Sequence, residues 1–240
     1  MTAWYAPDAV VVDLDGTPLA EGRDALISVE VQAFLQVPDR RCRVARVLAD
    51  ADGSTVVVDG LQSGRDTVDA VPMSVPFLCW WRLDGSGLIV EEHRYLPWDR
   101  RRILDDDSFT RPPAPDDRRR RSAGATRDLV ARWAEAWAWD AGLAVDAFAA
   151  DDVVVRTDAA EPTAVLAGVD SWRAREVAAH AALGPSPLVR VDATVGAGDQ
   201  IALRVAFGTG PAEVLLAVLD DTDRFVRIDR FAPHAGGARR

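Results

Sequence analysis

Leu83-Asp84-Gly85-Ser86-Gly87-Leu88-Ile89-Val90-Glu91-Glu92-His93-Arg94-Tyr95-Leu96-Pro97 aligns without a gap with Leu219-Asp220-Asp221-Thr222-Asp223-Arg224-Phe225-Val226-Arg227-Ile228-Asp229-Arg230-Phe231-Ala232-Pro233. Each stretch leaves a turn opened by Asp, runs through strand-like residues and ends on Arg-aromatic-x-Pro. Upstream, Gly22-Arg23-Asp24 matches Gly168-Val169-Asp170, each opening a helix. Tyr5-Ala6-Pro7-Asp8 before Val10–Val12 resembles Phe148-Ala149-Ala150-Asp151 before Val153–Val155. Self-similarity in this order reads as two copies of one α+β unit in a single chain.

Within the first copy, Val10–Val12 is a β-branched strand ending on Asp13, and Gly16 supplies a turn. Leu26, Ile27, Val31, Phe34 and Leu35 recur at helical spacing from Arg23 to Gln36, where Pro38-Asp39 stops the helix. Arg43–Leu48, Thr55–Asp59, Pro72–Leu83 and Leu88–Leu96 read as a meander of strands, with Asp52-Gly53 and Asp84–Gly87 as hairpin turns. The second copy opens with an amphipathic helix over Thr126–Trp139 and a short one at Leu143–Phe148. Val153–Val155 follows as a strand, then a helix from Trp172 to His180 capped by Ser171. Leu188–Val195, Gln200–Phe207, Glu213–Leu219 and Arg224–Phe231 complete it as strands. Between the copies, Arg100–Arg102, Asp105–Asp107, Pro112–Pro115 and Arg118–Arg121 make a solvated linker. The expected boundaries are a first domain over 1–104, a linker over 105–125, a second domain over 126–233 and a tail over 234–240.

Composition narrows the function. The formal net charge of -10 opposes a nucleic-acid partner, whose phosphates call for clustered cations. All basic residues are arginine, and no apolar run approaches membrane-spanning length. No basic stretch followed by an apolar segment marks a secretory leader, and Cys42 and Cys79 do not suggest a disulfide framework. A cytoplasmic protein without membrane association is expected. His93, His180 and His234 have no metal-ligand spacing, so neither a metal nor another cofactor is expected.

An aromatic-Ala-x-Asp start, a short strand, a Gly before a helix and four later strands ending in Arg-aromatic resemble the nuclear transport factor 2-like superfamily, nearest its SnoaL-like branch. The resemblance covers both halves. It implies two tandem cones, each a curved antiparallel sheet wrapped around helices with a pocket at the open end. It also implies an intramolecular pseudo-dimer of the two domains. The first copy departs from the pattern, because only Met1-Thr2-Ala3 precede Trp4 where the second copy has a long helix. The superfamily includes ketosteroid isomerases, polyketide cyclases, scytalone dehydratases, epoxide hydrolases and non-catalytic binders, so the fold alone does not choose among them.

Laid against the ketosteroid isomerase pattern from Tyr5 to Gly22, Asp13 falls on the general base. A carboxylate at a strand end facing an apolar cavity has its pKa raised by desolvation and can shuttle a proton beside a carbonyl. Equally, Asp13 or Asp15 can hold the turn at Gly16 through side-chain hydrogen bonds. The isomerase's oxyanion donor maps to Cys79, a poor donor, which argues against steroid isomerisation. Alternation puts Val90, Glu92 and Arg94 on one face, which the resemblance makes the pocket side. Arg94 can then hold a carboxylate or enolate with Asp13, or form a structural ion pair. Phe77, Cys79 and Trp81 line the wall, or simply pack as core. In the second copy a gap-free count puts Arg156 in the place of Asp13, a one-residue slip brings Thr157 or Asp158 there, and Arg230 repeats Arg94.

If catalytic, the chain is expected to run cofactor-free isomerisation, cyclisation or hydration of an apolar carbonyl compound. The alternative is a non-catalytic ligand-binding or scaffold protein. A minor alternative comes from Val10-Val11-Val12-Asp13-Leu14-Asp15-Gly16-Thr17, which resembles the first motif of haloacid dehalogenase-like phosphatases. Asp13 would then be the nucleophile and Asp15 the acid/base, with Mg²⁺. That fold needs a parallel sheet between helices, which the meander and the repeat oppose.

Overall fold

The computed structural model describes residues 2–14, 16–68, 70, 72–96, 116, 121–157 and 164–233. Most of the expected linker, the tail from His234, and Asp15 and Asp158 lie outside these residues. The chain divides into two compact units, Met1–Ala114 and Pro115–Arg240. Among the described residues no helix is long and apolar enough to cross a membrane.

In the first unit a 3-10 turn, Thr2–Trp4, leads into β1 (Tyr5–Asp13), β2 (Pro18–Glu21) and α1 (Arg23–Gln36). A meander follows: β3 (Arg41–Ala49), β4 (Thr55–Arg65), β5 (Pro72–Leu83) and β6 (Ile89–Tyr95). The sheet order is β2-β1-β6-β5-β4-β3. The second unit has two helices first, α2 (Ala123–Trp139) and α3 (Ala141–Phe148). It then repeats the plan with β7 (Ala149–Thr157), β8 (Ala164–Ala167), α4 (Val169–Leu183), β9 (Val189–Ala197), β10 (Gln200–Phe207), β11 (Glu213–Leu219) and β12 (Phe225–Phe231). Its sheet order, β8-β7-β12-β11-β10-β9, is the same. The fold is α+β, two units of one design.

Each sheet is mixed, where a purely antiparallel one was expected. The helix after β2 carries the chain across, so the last meander strand returns beside the first in parallel, β6 along β1 and β12 along β7. β2 and β8 have four residues each, too few for periodicity to reveal. The helix expected to begin after Ser171 opens earlier, at Gly168. There, as at Gly22, a positive φ (84° and 81°) lets the chain leave the strand edge and enter the helix without a side-chain cap. Both glycine N–H groups donate across the sheet at 2.8 Å, Gly22 to the Ala9 carbonyl and Gly168 to the Val153 carbonyl.

Strand register fixes the correspondence between the units. Tyr5 lies opposite Ile89 as Ala149 lies opposite Phe225, and Asp13 opposite Arg94 as Thr157 opposite Arg230. Thr157, not Arg156, therefore occupies the place of Asp13. The gap-free count fails by one because its anchor, the aromatic Phe148, ends α3 and precedes β7. The turn before the last strand is also shared. Asp84 accepts from the Ser86 and Leu88 N–H groups, and Asp220 from those of Thr222 and Arg224. Among the described residues the phosphatase topology is absent: Asp13 ends a strand of a mixed sheet, with a meander where alternating strands and helices were required.

The second unit has a closed core. Leu129, Trp133 and Trp137 of α2 with Val145 of α3 pack on Ile201, Leu203, Leu215, Ala217 and Ile228 of the sheet. The indole of Trp133 meets Phe207 and Phe225 edge-on at 6.3 and 6.2 Å. In the first unit no described helix corresponds to α2 or α3. One apolar cluster there buries Tyr5, Ala9, Val11, Ala20, Leu26 and Ile89 between α1 and the β1 end of the sheet, another joins Val37, Met73 and Val75, and Leu48, Val57, Leu61, Leu78 and Trp80 are buried besides.

Candidate functional site

The inner face of the first sheet, the face that carries α1, is the candidate site. Pairing places Val58 beside Cys79, Cys79 beside Arg94, and Trp81 beside Glu92 on that face. The same register in the second unit gives Leu203 and Leu215 for Val58 and Cys79, and Ala217 for Trp81. There the helices cover them: Leu215 and Ala217 are buried. In the first unit Phe77, Cys79 and Trp81 are half-buried and Val47 on the neighbouring strand is 53% exposed. The sequence-predicted wall residues share one face, Trp81 packs against the cluster beneath α1, and among the described residues no helix covers this face as α2 and α3 cover its counterpart. Phe77 lies across Gly60, where an added Cβ would sit 2.7 Å from its ring. Trp81 Nε1 is buried and, among the described residues, meets no acceptor.

A polar cluster sits on this face. Glu92, fully buried, takes two hydrogen bonds from Arg94, Nε at 2.8 Å and Nη2 at 3.1 Å. It also accepts the Tyr5 hydroxyl at 2.5 Å. Arg94 Nη1 reaches across to Glu30 on α1 at 2.7 Å, and Glu30 accepts a second guanidinium, Arg40, at 2.9 Å. Arg40 in turn lies over the Phe34 ring, 4.5 Å from its centroid. Arg23 Nε donates to the Tyr5 carbonyl at 2.9 Å, tying the start of α1 to β1.

Burial alone would push Glu92 upward, but Arg94 and the hydrogen bonds from Arg94, Tyr5 and Cys79 outweigh it and hold the carboxyl below its ordinary range. Glu30 is likewise held low against burial by Arg94 and Arg40. Burial, then the Glu92 charge, pushes the Tyr5 phenol and the Cys79 thiol up, so both stay protonated. The Arg94 guanidinium is raised, Glu92 prevailing over desolvation. Glu30, Glu92, Arg40 and Arg94 are thus ionised and paired, and Tyr5 and Cys79 stay neutral beside them.

Asp13 stands apart from that set. It is half-buried at the end of β1, opposite Arg94 in register, but its Oδ1 accepts the Thr17 N–H at 2.9 Å. Its backbone closes the same turn through Asp13 N to Thr17 O and Gly16 N to Asp13 O, 3.0 and 3.1 Å. Arg94 is committed to Glu92 and Glu30. Glu92, Arg94, Cys79 and Trp81 come together; Asp13 is adjacent and holds the turn.

The second unit repeats the helix-to-strand link. Arg230 Nη1 donates to Glu176 of α4 at 3.2 Å, while Nη2 and Nε bond Glu213, Nη2 at 2.9 Å. Trp137 Nε1 donates to the other oxygen of Glu176 at 2.8 Å. Glu30 and Glu176, with Tyr5 and Arg40, were missed in the sequence. A signal was present: each Glu lies eight residues after the helix-opening glycine, Gly22 to Glu30 and Gly168 to Glu176. Among the described residues no three His, Cys, Asp or Glu side chains gather as a metal-holding group.

A SnoaL-like domain model matches residues 1–92. Among solved structures, a SnoaL-like protein from Burkholderia thailandensis is 20% identical over 48% of this chain and 98% of its own, with a TM-score of 0.42. A protein of ketosteroid isomerase-like fold from Catenulispora acidiphila, solved with trimethylamine, is 18% identical over 40% of this chain and 71% of its own, with a TM-score of 0.35. An NTF2-like protein from an Exiguobacterium species is 19% identical over 39% and 76%, with a TM-score of 0.34. No curated protein matches the chain. Residues 1–92 of the first unit thus match a SnoaL-like domain model, and the second unit repeats the strand order of the first.

Proposed function

We propose that the chain is a small-molecule-binding protein whose site is the open inner face of the first unit, and that it binds an apolar ligand without transforming it. One observation carries the reading: the wall of Phe77, Cys79 and Trp81 is half-buried, while the equivalent wall of the second unit is closed by Trp133 and Trp137. Concave, mostly apolar surfaces with a few polar groups are where proteins take small ligands. The acids beside the wall argue against turnover. Glu92 is engaged by Arg94 and Tyr5, and Asp13 accepts the Thr17 N–H that closes its turn.

A second reading, proton transfer beside a carbonyl with Asp13 as base and Arg94 stabilising charge, has one observation in its favour. Asp13 faces Arg94 across the β1–β6 pairing. Incubation with 1-tetralone in heavy water separates the two. Binding alone predicts a ligand-induced rise in melting temperature with no enzyme-dependent deuterium uptake next to the carbonyl. That rise survives Asp13→Asn and is lost in Trp81→Ala. Deuterium uptake abolished by Asp13→Asn would establish the catalytic reading instead.

A further inference from the structure

We infer that Glu30 sets the charge selectivity of the open face, making it a site for neutral molecules that carry a carbonyl or hydroxyl oxygen and excluding carboxylates. This rests on the binding reading above and narrows its ligand class. A guanidinium has five N–H donors. In Arg94 three are engaged, at Nε and Nη2 with Glu92 and at Nη1 with Glu30. Five less three leaves two, on a side chain that is 15% exposed. Arg94 therefore retains donors for a ligand oxygen.

Its charge, however, is spent. The carboxylates of Glu30 and Glu92 cancel the guanidiniums of Arg40 and Arg94, and Tyr5 and Cys79 add none. A carboxylate arriving at Arg94 meets Glu30 and Glu92 beside it, loses its hydration and gains no net attraction. A ketone oxygen takes the same hydrogen bonds without that desolvation cost. Glu30 is the member that decides the balance. Glu92 alone still clamps Arg94 with two hydrogen bonds, so Glu30→Gln preserves the guanidinium's seat and removes one negative charge from beside it. The second unit supplies an internal control, because Glu176 makes the equivalent link to Arg230 within a closed core.

The test is a titration of the full chain, by calorimetry and ligand-observed NMR, with three matched probe sets. These are indane, 1-indanone and indane-1-carboxylate; tetralin, 1-tetralone and tetralin-1-carboxylate; and fluorene, 9-fluorenone and fluorene-9-carboxylate. The protein is expected to take a ketone about tenfold or more tighter than its carboxylate partner, and Glu30→Gln to move that ratio about tenfold toward the carboxylate. Glu176→Gln leaves the ratio unchanged. Equal or tighter carboxylate binding by the unaltered protein overturns the inference and leaves the binding reading standing. So does a ratio unmoved in a folded Glu30→Gln variant. Where circular dichroism shows that variant unfolded, the ratio in the unaltered protein decides. No binding by any probe refutes the binding reading itself, and this inference with it.

Discussion

Glu92 is the residue on which the first unit's polar chemistry turns. A carboxylate out of water is tolerated only when its partners replace the lost hydration, and Glu92 has Arg94 on both oxygens and Tyr5 besides. Removing it strands a buried guanidinium, so Glu92→Ala is expected to lower unfolding free energy by about 3–5 kcal/mol. Denaturant titration checks this, and a loss under about 1 kcal/mol would mark the pair as no more than a surface contact. The pH dependence follows from the directions of the shifts. Glu92 and Glu30 have depressed folded pKa values, so their contribution is present above the ordinary glutamate pKa of about 4.3 and is lost as pH falls through the lower folded values. Cys79 is raised, so its contribution is present below about pH 8.5 and is lost as pH climbs toward the folded value. Glu92→Gln should flatten the acid arm of a stability–pH curve, and Cys79→Ala the alkaline arm. Strand alternation groups Glu92 with Arg94 and Cys79 with Trp81, and the family resemblance was needed to put the two pairs on one face, as their pairing does. Glu30 could not be read that way, because its link joins a helix to a strand 64 residues on and depends on how the two pack.

At the scale of elements, α1 and α4 are the same helix in two settings. α4 buries Trp172 and Glu176 under its neighbours, and His180 rests 5.2 Å from the Trp137 ring. In α1 only Leu26 is buried; Ile27, Val31, Phe34 and Leu35 are exposed, Leu35 by 65%. The spacing that reveals the helix therefore does not reveal which face is covered. Leu26→Ala is expected to cost about 2–5 kcal/mol, and Leu35→Ala to stay within about 0.5 kcal/mol. Thermal and denaturant melts of the two variants check the contrast, and equal losses would mean that α1 buries a second stripe. The bounds of α1, β5, β10 and β11 follow directly from apolar period and turn residues. The parallel pairing of β1 with β6 does not, since periodicity along a strand carries no information about the direction of its neighbour.

The molecule as a whole is one design used twice, with a helix pair described only over the second copy. The repeat was legible because both copies keep the same turn before the last strand, in which Asp84 and Asp220 hold matching backbone N–H groups. It was misaligned by one residue at the first strand because an aromatic at the end of α3 imitates Tyr5. The difference between the copies explains their proposed division of labour. Trp133 and Trp137 close the inner face of the second unit, whereas among the described residues no helix plays that part over the first, where the face is proposed to take the ligand beside paired charges. The most direct measurement is the indole ¹H–¹⁵N spectrum of the full chain, its eight tryptophans assigned by substitution, titrated with 1-tetralone. The Trp81 resonance should move in a saturable way while those of Trp133 and Trp137 stay fixed; movement of Trp133 and Trp137 with Trp81 unmoved, or no movement at all, would contradict an open binding face in the first unit.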